Sequence, residues 1–177
     1  GKVILGVYSF SMRVLQVPMN FIGGALSQVF YQQASDTYNV GGDLPLLIRS
    51  TIKKSVVIAI PILLILLFLG PQIFAFVFGE NFYEAGVYAQ ILAPWILLDF
   101  VRAPISQIPI IIGHQNKLLF ISMLNNLIII CTMLYAGIFI KDIKTGLFIL
   151  SVFQSTYILL IIAWFYRISK LKPIKSY

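Results

Sequence analysis

Charge is what this chain has least of: Asp, Glu, Lys and Arg make up 11% of its 177 residues, against about 25% in an ordinary soluble domain. A water-soluble fold is thereby excluded. One cysteine, Cys131, and one histidine, His114, are present. A lone cysteine excludes a disulfide framework, and without further His, Cys or acid at ligand spacing neither metal nor cofactor is expected. Carboxylates paired for hydrolysis, a nucleophile elbow, a phosphate loop and a CxxC are all missing from the sequence. The longest polar connection, residues 35–54, is too short for a separate catalytic domain.

What is abundant is apolar. Hydrophobic residues reach 59% and the mean hydropathy is +0.93. Uncharged runs cover 14–35, 55–79, 118–140 and 145–166, and each exceeds the roughly 20 residues that cross a hydrocarbon core of about 30 Å. The expected fold is all-α, a polytopic transmembrane helical bundle. Its five spans lie at about 3–34, 55–78, 87–112, 118–140 and 145–166.

The first span is longer than a bilayer requires and holds Pro18 and Gly23-Gly24, so tilt, a kink or projection into water must absorb the excess. Residues 35–54 read as a cytoplasmic linker. Within it Asp43 and Pro45 can start a helix, with Leu44, Leu47, Ile48 and Ile52 on one face, either lying in the interface or opening the next span. Gly70-Pro71 is expected to interrupt the second span. The third carries Pro94, Pro104 and Pro109, which free the carbonyls of Gln90, Phe100 and Ile105. An irregular helix follows, tolerated at membrane depth only beside protein or a wet cavity.

Eight basic residues (Arg49, Lys53, Lys54, Lys117, Arg167, Lys170, Lys172 and Lys175) fall on one side of these spans. Lys2, Lys141 and Lys144 fall on the other with Glu80 and Glu84, so the first group is expected in the cytoplasm, together with the C-terminus. The net charge of +7 therefore reports topology, and no nucleic-acid partner is expected.

Three charges lie inside spans. Counting from Val3 puts Arg13 roughly 15 Å deep, near the midplane; counting from Val87 puts Asp99 and Arg102 at roughly 18 and 22 Å. Charge at such depth faces a bundle interior or a wet cavity. Asp99 and Arg102, three apart, can neutralise each other and only glue helices. In the functional alternative Arg13 and Arg102 form a cationic spot for an anionic group such as pyrophosphate, and Asp99 is an ion-coupling site. Trp95 beside Pro94 can line a sugar-binding cavity; the remaining aromatics read as interfacial or packing residues. Cys131 reads as core, His114 as a solvated turn residue, and Asn125 and Asn126 as interhelical hydrogen-bonding groups.

Residues Leu5 to Ser35 (LGVYSFSMRVLQVPMNFIGGALSQVFYQQAS) and Gly79 to Gln115 (GENFYEAGVYAQILAPWILLDFVRAPISQIPIIIGHQ) resemble bacterial polysaccharide biosynthesis proteins of the O-antigen flippase type. These belong to the multidrug, oligosaccharidyl-lipid and polysaccharide exporter superfamily. The resemblance rests on the LGxYS start, the spacing of Arg13 and Pro18, the ALSQVF exit and the FGExFxEAGxYAQILAPW stretch. It implies two six-helix lobes about a central cavity, of which this chain is five spans of the C-terminal lobe, the N-terminal lobe being absent. The implied activity is movement of an undecaprenyl-pyrophosphate-linked oligosaccharide across the bacterial inner membrane. Implied partners are that lipid-linked oligosaccharide, membrane lipids, the other lobe and a polysaccharide polymerase.

Two further functions remain open on the residues alone. A cation-coupled multidrug antiporter of the same superfamily calls for acidic cavity residues, where two arginines here face one aspartate. A polytopic enzyme of polysaccharide synthesis calls for paired acids or a large loop.

The topology is testable with single cysteines at Asn39 and Asn81 after Cys131→Ser. An impermeant thiol reagent applied to intact cells is expected to label position 81 and spare 39; the reverse pattern would invert the orientation.

Overall fold

A computed structural model describes residues 2–135 and 142–170, and among these described residues there are six α-helices. They are α1 (Lys2–Asn39), α2 (Leu44–Phe78), α3 (Tyr83–Arg102), the single-turn α4 (Ile108–Ile111), α5 (Gln115–Tyr135) and α6 (Ile143–Ile168), with 3₁₀ turns at Glu80–Phe82 and Pro104–Gln107. No strand occurs among the described residues. The end of the expected fourth span (136–140), Lys141, Lys172 and Lys175 lie outside them.

Four segments are long and apolar enough to cross a membrane: Leu44–Phe78, Glu80–Arg102, Gln115–Leu134 and Ile143–Ile168. The chain is thus a helical membrane bundle. The first expected span, α1, is also a helix, unbroken through Pro18. It is missing from that group because Arg13, Gln16, Asn20 and Ser27 lie on one stripe of it, at the three- and four-residue steps that keep side chains on a common face.

The centre of the bundle is the crossing of α2 and α3. Gly86 lies directly on Gly70 and Pro71: a methyl group at Gly86 would collide with Pro71 Cα and stand 2.7 Å from the Gly70 carbonyl oxygen. Pro71 has no N–H to give the carbonyl of Leu67, four residues earlier. The Gln90 side-chain amide of α3 donates to that carbonyl instead. The Gly70-Pro71 break expected from the sequence is therefore absent, and α2 is continuous, because a neighbouring helix satisfies the freed group. The 44–52 segment is likewise the first turns of α2 and not a separate interfacial helix, with Asp43 accepting from the Leu46 N–H at 2.9 Å.

The third span does break, after Arg102. Ala103 N–H closes the last α-helical bond on Asp99 O at 2.9 Å. Pro104 and Pro109 then start the next two short pieces, where a missing N–H costs nothing. Pro94 is accommodated inside α3.

Side-chain packing divides the bundle into two ends and a middle. At one end Phe30, Ala34, Leu44 and Ile48 pack against Ile105, Ile108, Phe165 and Ile168. There Arg49 and Lys170 lie over the Tyr166 ring, 5.2 and 4.8 Å from its centroid. At the other, Leu15, Phe74, Ala85, Tyr88 and Leu147 pack together, Phe10 nests among Phe74, Phe78 and Phe82, and Lys144 meets Glu84 at 3.2 Å. Asp142 caps α6 at this second end, accepting from the Thr145 hydroxyl at 2.6 Å and its N–H at 3.1 Å. Those hydrogen bonds hold its carboxyl below the usual carboxylate range.

Gly86→Ala should be the most damaging small substitution in the bundle, since the obstruction is backbone and cannot swing away. Overpacking of this kind costs about 1–3 kcal/mol. Gly6→Ala, with nothing within 4 Å of the added carbon, is the control. Thermal unfolding in detergent should show a clear fall for Gly86→Ala alone; equal midpoints would contradict the close crossing.

Candidate functional site

Two polar cavities meet at one wall. The larger, of about 360 Å³, lies between α1 and α3 and is bounded by Gln16, Asn20 and Ser27 on one side and by Trp95, Asp99 and Arg102 on the other. The smaller, of about 230 Å³, lies between α3, α5 and α6 and shares Trp95, Asp99 and Arg102. Those three side chains, singled out by the sequence, form the partition.

Local sequence explains the larger cavity. Gly23 lets α1 approach α3, its missing side chain facing Ala103 and Phe100 at 3.5 and 3.6 Å. Gly24, one residue on, faces open space and leaves room for the groove. On the α3 side the chain breaks where the cavity begins, so Ala103 and Ser106 line it. The Ser106 hydroxyl donates to the Ala103 carbonyl at 2.7 Å, which is how irregular backbone is tolerated at this depth.

Asp99 and Arg102 are paired. Arg102 Nε donates to Asp99 Oδ1 at 2.8 Å, and Nη2 lies 2.7 Å from the same oxygen. The two side chains are 28% and 45% exposed, arginine first, so both stay in contact with the cavities. Partial exposure puts the pair's worth nearer that of a surface ion pair, about 1 kcal/mol or less, than that of a buried one.

Arg13 stands elsewhere. α1 and α3 run parallel, with the Ser11 hydroxyl 2.8 Å from the Ala85 carbonyl oxygen, so Arg13 is level with about Val87. That is within a turn of Glu84, and Asp99 lies twelve residues further along α3, about 18 Å away in depth. Counted from the level of Glu80, where the third span begins, instead of from Val3, Arg13 is seven residues, about 10 Å, deep and not 15 Å. The difference arises because the first turn of α1 extends past the Gly79 turn by the same register, with Phe10 packed against Phe78 and Phe82. Arg13 is exposed, on the same stripe as Gln16 and Asn20, and marks the mouth of the groove at the Glu84 end. Pro18 lies between them on the exposed side of α1. Pro104 and Pro109 are buried beside the partition, at the helix break.

Gln16, Asn20 and Ser27 in α1 and Ser122 beside the second cavity are lining residues not expected from the sequence, and Gln154 and Tyr157, expected only as span polarity and as a packing aromatic, line the second cavity too. Their signal was present as polar residues at helical spacing inside otherwise apolar runs. Gln154, 3% exposed, donates to Asn125 Oδ1 at 3.2 Å, the interhelical bond expected of Asn125. Cys131 is exposed on α5 and not core: in a membrane bundle the outward face is as apolar as the inside. His114 is half-buried, its Nδ1 3.1 Å from the Ile112 carbonyl oxygen. Among the described residues no group of three His, Cys, Asp or Glu could hold a metal ion.

The pairing makes a specific expectation for unfolding measurements. Asp99→Ala and Arg102→Ala should be non-additive by up to about 1 kcal/mol. Arg13→Ala and Asp99→Ala, too far apart to interact, should add within about 0.5 kcal/mol. Rescue of Arg13→Ala by Asp99→Ala would contradict the register of α1 on α3.

Residues 1–86 match the family model described as polysaccharide biosynthesis protein. No curated protein and no solved structure matches the chain. The matched part holds α1, α2 and the first residues of α3, and so carries Arg13, Pro18, the polar stripe and Gly86, while the Asp99–Arg102 partition lies beyond it. What the chain shares with known proteins is thus the pattern of the polysaccharide biosynthesis family over residues 1–86, which fits a role in polysaccharide assembly.

Proposed function

We propose that this chain is one lobe of a flippase that carries an undecaprenyl-pyrophosphate-linked oligosaccharide from the cytoplasmic to the outer leaflet of the bacterial inner membrane. In this reading the protein is a transporter and not an enzyme, the basic end of the bundle is cytoplasmic, and a second lobe closes the groove. The observation that carries it is the polar stripe of α1 facing the Asp99–Arg102 partition within an otherwise apolar bundle. A lipid-facing helix gains nothing from Arg13, Gln16, Asn20 and Ser27 on one line; a helix lining a path for a charged, hydroxylated head group needs them.

The path has a direction. Arg102 is the last residue of α3 and Arg13 lies near its Glu84 end, about 22 Å apart along the bundle axis by the register of α1 on α3. A pyrophosphate entering from the basic side meets Arg102 first, where the guanidinium retains donors not used by Asp99, and leaves past Arg13. The polyprenyl tail stays in lipid beside the groove, so only the head group must be sheltered. Rocking of the two lobes about the groove then exposes it to each side in turn. Asp99 in this scheme holds Arg102 in place and offers a carboxylate to a coupling cation, and a polysaccharide polymerase receives the delivered unit. A cation-coupled drug antiporter draws no comparable support, since the one acid of the cavity walls, Asp99, is paired with Arg102.

The test is export in cells lacking their own flippase. Arg13→Ala should abolish surface polysaccharide while membrane abundance is unchanged, because Arg13 is exposed and holds no helix together. Arg13→Lys should keep part of the activity through charge alone. Normal export by Arg13→Ala would refute the role given to this residue.

A further inference from the structure

The basic end of the bundle holds a juxtaposition that helix packing does not require. Arg49 of α2 and Lys170, just past α6, converge on one side chain, Tyr166, with their cationic groups 5.2 and 4.8 Å from its ring centroid. The two charges therefore stand no more than about 10 Å apart, within the Debye length of about 10 Å at 0.1 M salt. Both residues are exposed. Among the described residues the ion pairs are Asp99–Arg102 and Lys144–Glu84, so neither Arg49 nor Lys170 meets a carboxylate. The ring attracts cations through its quadrupole but brings no countercharge. Two like charges gathered from two helices onto one half-buried ring call for an anion between them.

The level of the cluster identifies where that anion comes from. In α2 the uncharged stretch 55–78 begins directly after Lys54, and in α6 the uncharged stretch 145–166 ends at Tyr166. The cluster thus stands where hydrocarbon gives way to head groups, a boundary at which tyrosine is enriched. An apolar seam continues from it into the membrane. α2 and α6 both pack on α3 and not closely on each other. Ile52 and Val56 of α2 and Ile162 of α6 rest against the cluster that holds Leu97 and Val101 of α3, and all three remain half-buried. An acyl chain can cover that seam while its phosphate lies at the cations.

We infer that Arg49, Tyr166 and Lys170 form a site for the head group of an anionic phospholipid, in the leaflet at the basic end of the bundle. Arg49 offers a fork of N–H donors that takes two phosphate oxygens, and Lys170 adds a mobile point charge. Phosphatidylglycerol brings one negative charge with nothing to offset it, whereas phosphatidylcholine brings a quaternary ammonium that the two cations repel. Held between them, the phosphate also ties together two helices that otherwise meet mainly through α3. Only a membrane bundle is required for this, whichever cargo the lobe moves.

Lipid binding to the purified full-length protein in detergent, read by native mass spectrometry, tests the site with phosphatidylglycerol and phosphatidylcholine of the same chains. Near a membrane surface each basic residue contributes about fivefold in affinity, so the wild type should prefer phosphatidylglycerol by about twentyfold. Arg49→Gln and Lys170→Gln should each lower that ratio about fivefold, and the double substitution should bring it close to one. Lys54→Gln, at an exposed lysine five residues further along α2, is the control and should leave the ratio within about twofold. Phosphatidylglycerol should also raise the unfolding temperature of the wild type, and the double variant should lose that rise. A wild type without preference, or an equal loss in Lys54→Gln, would reduce the cluster to ordinary surface charge and overturn the site. Protection by inorganic phosphate equal to that by the lipid would reassign it to a soluble anion and overturn the lipid assignment. A lipid-free unfolding temperature that falls in both single variants would make the pair purely structural, which overturns the site as well.

Discussion

Everything in this bundle depends on how closely α2 and α3 can approach. Without water to receive a stray carbonyl, a membrane helix that contains proline must find a donor in its neighbours. Pro71 leaves the Leu67 carbonyl open, and Gln90 reaches it only because Gly86 lets the two backbones come together. That one contact keeps α2 unbroken and sets the height of α3. The height of α3 places the Ala103–Pro104 break, and with it the partition, at the end of α3.

From there the site assembles itself. Gly23 of α1 sits on Phe100 and Ala103, fixing α1 in parallel register so that Gln16, Asn20 and Ser27 look across at Asp99 and Arg102. α6 packs on the other side of α3 through Leu147, Leu150 and Ile158, all fully buried, and brings Gln154 behind the same pair. The charged pair is thus held between two polar cavities. Polar side chains buried among lipid-facing helices are costly unless they meet partners or water, and the cavities leave room for the second.

Long apolar runs made the helical membrane bundle legible from composition, and prolines made the broken third span legible from spacing. Asp99 and Arg102, three apart, were readable as a pair. What could not be read was anything that depends on the register between helices. The depth of Arg13 depends on how far α1 overshoots the Gly79 turn, and the aromatic nest around Phe10 fixes that distance across three elements. The continuity of α2 depends on a side chain nineteen residues beyond Pro71. The outward position of Cys131 has the same cause: an apolar run looks alike whether it faces lipid or core, so periodicity inside it carries no sign.

The stripe on α1 sets a condition on any membrane arrangement of this chain. Arg13, Gln16 and Asn20 are exposed while Leu15, Phe30 and Ala34, around the helix, are buried against the rest of the bundle. Turned toward hydrocarbon, the midspan amides of Gln16 and Asn20 would lose their hydrogen bonds at a cost of a few kcal/mol in total. Arg13, one turn inside Glu84, is the exception, since an arginine so near the edge can reach the head groups. The penalty is therefore concentrated at the glycine-flanked centre of α1, and it vanishes when that face borders water or another protein surface. The low hydropathy that sets α1 apart from the other four long helices is then a consequence of its position.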